Sequence, residues 1–269
     1  MPKVVLITGG SSGIGKAIGE YLHARDYVVF GTSRNPSKYL DTVPFTLLKL
    51  DVTDTSTMSE AVSEVINQAG KIDVLVNNAG VGITGPVEET PTEEIRRAFE
   101  INFYGPLELI KLVLPHMRSQ KSGLIINITS IAGYMGLPYR GIYSTTKGAL
   151  ELITEAYRME TKQFGIDITN VAPGDFATNI ADGRYHAPII ENSPYEQAYG
   201  DTLRMMNEHV SAGNDPSQMA EAVHKIINTK RPKIHYKVGA RIQKFSIVLK
   251  RILPDKVYEW MLMRHYKLK

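Results

Sequence analysis

The chain has 269 residues, of which 43% are hydrophobic and 22% are charged, a composition that excludes a disordered or fibrous protein. It contains no cysteine, which rules out disulfides, cysteine-ligated zinc and thiol catalysis and fits a reducing compartment. At this length an α/β fold is often one domain, so we expect a single large core. The first residues lack the pattern of a signal peptide, and we expect a cytoplasmic protein, with a location at the periphery of a membrane as the alternative.

The net charge of +3 is unevenly distributed along the chain. Residues 230–269 carry a net charge of +10, whereas the remainder carries −7. A basic segment on an acidic body indicates either an anionic partner or a contact with the body itself. A solvated basic helix face is the alternative.

Short apolar runs rich in β-branched residues predict strands at residues 3–8, 27–32, 45–50, 73–76, 124–129 and 167–172. Helical spacing predicts helices at residues 14–25, 55–68, 92–118, 141–163 and 217–228. The connection 33–44 holds two prolines, and we expect no full helix there. Apolar strands that alternate with helices are typical of a parallel sheet covered on both faces, so the pattern predicts a doubly wound α/β fold.

Two later segments differ from this alternation. Residues 177–214 are polar and weakly patterned, and a segment of this kind in a compact domain is more often a functional lid than an accident. Residues 239–269 form a basic, amphipathic, helical C-terminal extension. We therefore divide the chain into a nucleotide-binding and catalytic domain, residues 1–238, and this extension.

A glycine-rich loop follows the first predicted strand and opens the first helix. Glycines permit a tight turn and close approach of the backbone to a pyrophosphate, and a helix N-terminus supplies free N–H groups. Glycines that serve only the geometry of the turn are the alternative. The loop predicts a dinucleotide site that includes Gly9, Ser11, Ser12, Gly13, Ile14 and Gly15.

The end of the second strand indicates which dinucleotide binds. An Asp or Glu here would bind the ribose 2′-hydroxyl of NAD, but the residues are Ser33 and Arg34. Arg34 can face a 2′-phosphate and Ser33 can donate a hydrogen bond to it, although an ordinary surface arginine is the alternative. We predict NADP(H) in preference to NAD(H).

Tyr143 and Lys147 lie four residues apart, on one face of a predicted helix. Ser130 ends the preceding strand, Asn102 lies in the long helix before it, and Asn77–Gly80 end the fourth strand. These positions lie at or near the carboxyl edge of the strands, where open α/β sheets bind ligands. Purely structural roles for the asparagines remain the alternative.

Together these motifs resemble the short-chain dehydrogenase/reductase family, in the family's order over residues 1–180. The resemblance implies a Rossmann-like sheet of about seven parallel strands, with residues 233–238 as the last, and a homodimer or homotetramer. It also implies hydride transfer between a nicotinamide and a ketone or secondary alcohol, without a metal.

The resemblance assigns the catalytic roles to Asn102, Ser130, Tyr143 and Lys147. A tyrosine with a pKa of about 10 mediates protons poorly at pH 7 unless a nearby cation stabilises its phenolate, and Lys147 can supply that charge. Ser130 would bind the carbonyl oxygen, and Asn102 would hold a water that links Lys147 to solvent. Further cofactor contacts implied are Asp51, Val52, Asn78, Ala79, Gly80, Tyr143, Lys147, Pro173, Gly174 and Thr178.

Tyrosines and methionines in residues 132–140 and 177–214 suggest an apolar, adaptable substrate pocket, and Asp175 either faces solvent or binds a polar substrate group. The long extension is similar to the hydroxysteroid, retinol and ketosphinganine reductase-like branch. We predict an NADP-dependent oxidoreductase of a steroid-, retinoid- or sphingoid-like substrate. The alternatives are a reductase of small polar carbonyls, a catalytically silent NADP-binding regulator, and a membrane-surface or nucleic-acid binder. We expect no nucleic-acid partner, and we favour packing of the extension on the body or a second subunit over contact with a membrane.

Overall fold

The computed structural model describes residues 1–39, 41–176, 183–211 and 214–268, and its centre is a parallel sheet of seven strands. In chain order the strands are β1 (Val4–Ile7), β2 (Val28–Ser33), β3 (Thr46–Lys49), β4 (Val74–Asn77), β5 (Ile83–Thr84), β6 (Gly123–Ile128), β7 (Ile166–Pro173), β8 (Tyr185–His186) and β9 (His235–Val238). The large sheet has the order β3-β2-β1-β4-β6-β7-β9, and β5 pairs separately with β8. The predicted fold class and last strand are confirmed.

Helices cover both faces of this sheet. One face is covered by α1 (Gly13–His23) and α7 (Ser217–Ile227), and the other by α2 (Thr55–Ala69), α4 (Gly105–Gln120) and α5 (Gly141–Thr161). The remaining helices are α3 (Thr92–Phe99), α6 (Glu196–Ser211), α8 (Arg241–Ile252) and α9 (Asp255–His265). A short 3-10 turn, Pro36–Tyr39, is the helical element described between β2 and β3, as the two prolines predict.

The core consists of two apolar layers, one on each face of the sheet. Alternate residues of a strand point to opposite faces, so Val4 and Leu6 enter one layer while Val5 and Ile7 enter the other. All four side chains are buried. This explains why the strand sequences are continuously apolar rather than alternating.

Buried polar side chains fix the position of α5 on the sheet. Asn77 Nδ2 donates a hydrogen bond to Asn127 Oδ1 at 2.9 Å, and Asn127 Nδ2 donates to Thr154 Oγ1 at 2.8 Å. Loss of one partner would leave a buried amide or hydroxyl unpaired, which costs about 1–3 kcal/mol. The helix that carries Tyr143 and Lys147 is therefore held in one register against β4 and β6.

The single helix predicted for residues 92–118 is wrong, because α3 and α4 are separated by a π-helical turn, Glu100–Tyr104. Gly105 N–H donates to the carbonyl of Glu100, five residues earlier. Pro106 lacks the N–H that would bond the carbonyl of Asn102, four residues earlier, in a regular helix. Apolar periodicity does not reveal such a turn, because the helix continues on both sides of it.

Residues 177–182, the first part of the predicted lid, lie outside the described residues, but the following part contains a helix that was not predicted. Polar residues dominate α6, and its amphipathic spacing, which is comparable to that of α2 and α5, was overlooked among them. Tyr199 anchors this helix: its side chain is buried, and its hydroxyl donates to the Ala187 carbonyl at 2.9 Å. This contact depends on a single tyrosine, and the hydrophobic pattern averaged over the helix does not reveal it.

The C-terminal extension packs on the body through one face of its two helices. Ile247 of α8 and Tyr258 of α9 are buried against Ile131, Met135 and Ala172. The outer face is apolar as well, since four side chains are more than half exposed: Ile242 (78%), Phe245 (53%), Ile252 (68%) and Trp260 (58%). Across the described residues, no helix combines the length and the apolar character needed to cross a bilayer.

Candidate active site

The glycine-rich loop between β1 and α1 folds tightly against its neighbours. Gly9 and Gly13 have φ angles of 66° and 54°, in the left-handed region that favours glycine. A Cβ atom at Gly10 would lie 2.8 Å from the Cα of Gly31, and one at Gly15 would lie 2.2 Å from the Gly9 carbonyl oxygen. The glycines therefore let the loop pack tightly against β2 and against its own backbone, as a tight strand-to-helix turn requires.

The N-terminus of α1 provides hydrogen-bond donors beside this loop. Ser12 is the N-cap residue, and its side chain makes no capping hydrogen bond. The first N–H groups of a helix have no acceptor within the helix, and here the side chain of the N-cap residue does not accept a hydrogen bond from them. The predicted contacts Ser11, Ser12, Gly13 and Ile14 all lie at this turn, and such uncapped donors fit a pyrophosphate.

The end of β4 is tied directly to the glycine-rich loop. Thr8 Oγ1 accepts hydrogen bonds from the N–H groups of Asn78 and Ala79, both at 2.9 Å. Asn78 Nδ2 donates to the Thr8 carbonyl at 2.9 Å. Asn78 and Ala79 thus hold the loop in place, and Thr8 is a positioning residue that the sequence analysis did not single out for the site.

Arg34 follows β2 directly and is exposed. None of the described residues forms a hydrogen bond or an ion pair with its guanidinium, so that group is available to a ligand. Ser33 precedes it at the end of β2. Asp51 and Val52 come shortly after the end of β3. The Asp51 carboxylate accepts a hydrogen bond from the Thr53 N–H at 2.9 Å. These residues share the carboxyl edge of the sheet with the loop.

Asn102 lies in the π-helical turn, and its side chain is completely buried. Its Nδ2 donates to the Val81 carbonyl at 2.9 Å and to Thr146 Oγ1 at 3.1 Å, and its Oδ1 accepts from the Val81 N–H at 2.8 Å. The amide is thus occupied by protein partners. The backbone carbonyl of Asn102 lacks its usual helical donor because of Pro106, and this group fits the predicted role of holding a water.

Lys147 and Asn102 meet around Gly80. A Cβ atom at Gly80 would lie 3.1 Å from Asn102 Oδ1 and 3.2 Å from Lys147 Nζ, so the bare glycine lets both side chains approach. Lys147 Nζ donates to the Ile128 carbonyl at 3.1 Å. Burial lowers the pKa of Lys147 to about 8, and the carboxylate of Glu151 opposes this shift.

Glu151, one turn beyond Lys147 on α5, is the centre of a buried polar cluster that the sequence analysis missed. Its carboxylate accepts hydrogen bonds from Thr129 Oγ1, from Tyr134 Oη at 2.8 Å and from Asn170 Nδ2 at 3.0 Å. His235 Nδ1 lies 2.7 Å from the same carboxylate, which raises the pKa of His235. The i, i+4 spacing from Lys147 is the signal that could have identified Glu151.

Ser130 and Tyr143 line one pocket at the carboxyl edge of the sheet. Both are almost fully buried, and Ser130 Oγ accepts a hydrogen bond from the Ala132 N–H at 3.1 Å. The hydroxyl hydrogen of Ser130 thus remains available to a ligand. The pocket is also lined by residues of the loop, of β5, of the end of β7 and of the segment before β8: Ile14, Gly82, Ile83, Thr84, Arg140, Pro173, Gly174, Asp175, Phe176 and Arg184.

The extension reaches the part of this pocket that follows β7. Gln243 of α8 donates from Nε2 to Asp175 Oδ2 at 2.6 Å, and its Oε1 accepts from the Asp175 N–H at 3.3 Å. Asp175 is therefore bound by the protein and does not simply face solvent. The predicted contacts Pro173 and Gly174 lie beside it, whereas Thr178 lies outside the described residues.

Comparisons with known proteins place this geometry in a family. Residues 3–188 match the family model described as short chain dehydrogenase. The chain belongs to the short-chain dehydrogenase/reductase family. It is 37% identical over 269 residues to the 3-ketodihydrosphingosine reductase of Bacteroides thetaiotaomicron, covering 100% of this chain and 99% of that protein. It is 31% identical over 271 residues to the NADPH-dependent 3-dehydrocapnine reductase of Ornithobacterium rhinotracheale, covering 96% and 95% of the two chains.

The solved structures agree with this assignment. A short-chain dehydrogenase from Streptomyces avermitilis superimposes with a TM-score of 0.83 at 32% identity, covering 98% of each chain. As a short-chain dehydrogenase/reductase, the protein is an oxidoreductase that uses a nicotinamide cofactor. The match to the 3-ketodihydrosphingosine reductase covers the whole chain and therefore includes the segments of α8 and α9.

Proposed function

We propose that the protein transfers a hydride between NADP(H) and a long-chain, sphingoid-like ketone or secondary alcohol. The observation that carries this proposal is the pocket in which Ser130 and Tyr143 meet Ile14 and Gly174, residues at the predicted cofactor site. The whole-length similarity to a 3-ketodihydrosphingosine reductase supports the lipid-like substrate. A retinoid has weaker support, because the retinol dehydrogenase 8 of Bos taurus is 31% identical to this chain over 264 residues, against 37% over the whole chain for the sphingosine-type reductase.

The bound nicotinamide supplies the hydride in the reductive direction. The protein's own residues stabilise and neutralise the negative charge that develops on the carbonyl oxygen. Ser130 donates its free hydroxyl hydrogen to that oxygen, and Tyr143 gives it a proton. Lys147, held by the Ile128 carbonyl, keeps two further N–H groups with which to stabilise the Tyr143 phenolate and bind a ribose hydroxyl. The backbone carbonyl of Asn102 holds a water that returns a proton to this system.

Turnover tests the function directly. The full-length protein should oxidise NADPH when 3-ketodihydrosphingosine is added in mixed micelles. If that ketone is not reduced but small polar ketones are, the polar-carbonyl reductase replaces this proposal. If no ketone in a broad panel is reduced, a silent NADP-binding regulator is the better reading, although the complete Ser130, Tyr143 and Lys147 set argues against it.

The preference for NADP(H) is proposed to come from Arg34. Because its guanidinium has no partner among the described residues, it can pair with a 2′-phosphate, and Arg34→Asp would replace this attraction with repulsion. The variant should reverse or flatten the ratio of kcat/KM for NADPH to that for NADH. Arg231→Gln, which removes an exposed charge before β9 at the opposite edge of the sheet, is the matched control. Equal efficiency with the two cofactors in the unmodified enzyme would contradict the assignment.

The extension is proposed to close one side of the substrate pocket or a subunit interface, with membrane contact secondary. Deletion of the residues after Pro254 removes the buried Tyr258, so without any lipid it should weaken substrate binding, change the oligomeric state or lower solubility. Measurements are KM, sedimentation and light scattering. Glu259→Gln, at an exposed polar position of the same helix, is the control and should leave these properties intact. A soluble, normally assembled and fully active truncation that no longer sediments with anionic vesicles would favour a membrane anchor instead.

A further inference from the structure

Two arginines line the pocket beside the reacting groups. Arg140 and Arg184 share this pocket with Ser130 and Tyr143. The guanidinium carbon of Arg140 lies 5.5 Å from the centre of the Tyr143 ring. The mechanism above uses neither arginine, because hydride transfer to a neutral ketone requires only a hydrogen-bond donor and a proton donor. Their presence therefore needs another explanation.

Arg184 lacks a partner for part of its charge. Its Nη1 atom is buried, and no hydrogen-bond acceptor for it is found among the described residues. A buried donor without an acceptor costs about 1–3 kcal/mol, and more when it is charged. Burial and the nearby Arg140 lower the pKa of Arg184, which shows that the two cations repel each other in this pocket. An anion placed between them would remove both penalties.

The Asp175 carboxylate also lines the pocket, but among the described residues it forms no ion pair with either arginine. The charge of Asp175 acts on Arg184, but Oδ2 of Asp175 already accepts a hydrogen bond from Gln243 at 2.6 Å. The Arg140 guanidinium acts on the Tyr266 hydroxyl, a neutral group whose pKa is raised by burial and which cannot balance the charge of the arginine. Among the described residues that line the pocket, two positive charges therefore face one carboxylate, so one positive charge is left for a further anion.

We propose that Arg140 and Arg184 bind an anionic head group of the substrate, a sulfonate or a phosphate within a few bonds of the reacting carbon. This inference rests on the proposed ketone reductase and adds its head-group specificity. Guanidinium groups bind tetrahedral oxyanions through two parallel N–H···O bonds, and the closeness of Arg140 to the Tyr143 ring places that anion near the carbonyl. The apolar Ile83 and Phe176, in the same pocket, are left to contact the carbon chain.

Three matched ketones test the head group. They are long-chain 2-amino-3-ketones that differ only at C1, which carries a sulfonate, a phosphate or a hydroxyl. The wild-type enzyme with NADPH should show a kcat/KM at least about tenfold higher for an anionic ketone than for the hydroxyl compound, as expected for charge-assisted hydrogen bonds. The ranking of sulfonate and phosphate identifies the anion. A hydroxyl compound that is reduced as well as both anions would overturn the proposal.

Variants assign the effect to the two arginines. Arg184→Gln and Arg140→Gln should each lower the ratio of anionic to hydroxyl kcat/KM by about 10–100-fold. Arg231→Gln is the control for loss of one positive charge and should keep the ratio. Partial unfolding of a variant would lower both rates equally and leave their ratio unchanged, because both substrates are measured on the same enzyme preparation. A ratio that survives both substitutions would overturn the assignment.

A binding measurement separates this inference from the proposed reaction. Octane-1-sulfonate and octan-1-ol are compared by thermal stabilisation of the NADP-loaded protein. Preferential stabilisation by the sulfonate, lost in Arg184→Gln, supports the anion site even if no ketone is turned over, in which case only the proposed reaction fails. Equal stabilisation by the sulfonate and the alcohol would count against the anion site, whatever the enzyme reduces.

Discussion

Tyr143→Phe is expected to lower kcat by about 10²–10⁴-fold, the usual contribution of a positioned general acid. The substitution keeps the ring, which is almost fully buried, and removes only the hydroxyl. The fold should therefore be retained, and NADPH should bind with nearly unchanged affinity. Turnover of the preferred ketone and a fluorescence titration with NADPH measure the two properties separately.

Ser144→Ala is the natural control for this experiment. Ser144 is the next residue on α5 and its hydroxyl has no hydrogen-bond partner among the described residues, so its loss removes no contact. The variant should keep its activity. If Tyr143→Phe retained a near-normal rate on that ketone, Tyr143 would not be the proton donor.

Lys147→Met is expected to reduce both kcat and cofactor affinity, because one ammonium group serves the phenolate and the ribose. The expected loss in kcat/KM is about 100-fold or more, as for removal of charge-assisted hydrogen bonds at a buried site. Methionine has a similar length and fills the buried volume, so a general loss of structure is not expected. A variant with low kcat but unchanged NADPH affinity would restrict Lys147 to the proton-transfer role.

The alkaline limb of the pH profile should report the charge of Lys147. Burial lowers the pKa of Lys147 to about 8, so its positive charge is present below that pH and is lost above it. Reductase activity should therefore decline as the pH rises through about 8. Glu151 raises this pKa, so Glu151→Gln should move the decline to lower pH. Glu155→Gln, at an exposed partner of His235, is the control and should leave the limb in place.

The alternation of strands and helices could be predicted because each element carries its own apolar pattern. The strands are buried on both faces, so they appear in the sequence as continuous apolar runs. Ser130, Tyr143 and the glycine-rich loop could then be placed at the carboxyl edge of the sheet. The π-helical turn at Asn102 could not be predicted. It depends on one backbone hydrogen bond that spans five residues instead of four, and on a proline that lies inside a continuing helix. Sequence periodicity contains no signal for either.

Contacts between distant parts of the chain account for the other omissions. Glu151 was passed over because its partners come from three different parts of the sheet and meet only in the folded protein: Thr129 follows β6, Asn170 lies within β7 and His235 begins β9. Arg184 lies in a polar segment, where a further charged residue does not by itself indicate a binding site. Its importance comes from the burial of one nitrogen atom, which only the structure shows.

The pocket is assembled from both ends of the polypeptide. Ile14 lines the pocket from the start of α1, while Gln243 of α8 binds Asp175, another residue of its lining. During synthesis on the ribosome, the nucleotide loop and β1–β4 emerge long before α8 and α9. The loop that would hold the pyrophosphate is therefore synthesised well before α8, whose Gln243 binds Asp175. The substrate pocket can take its final form only once α8 has also emerged and packed on the body.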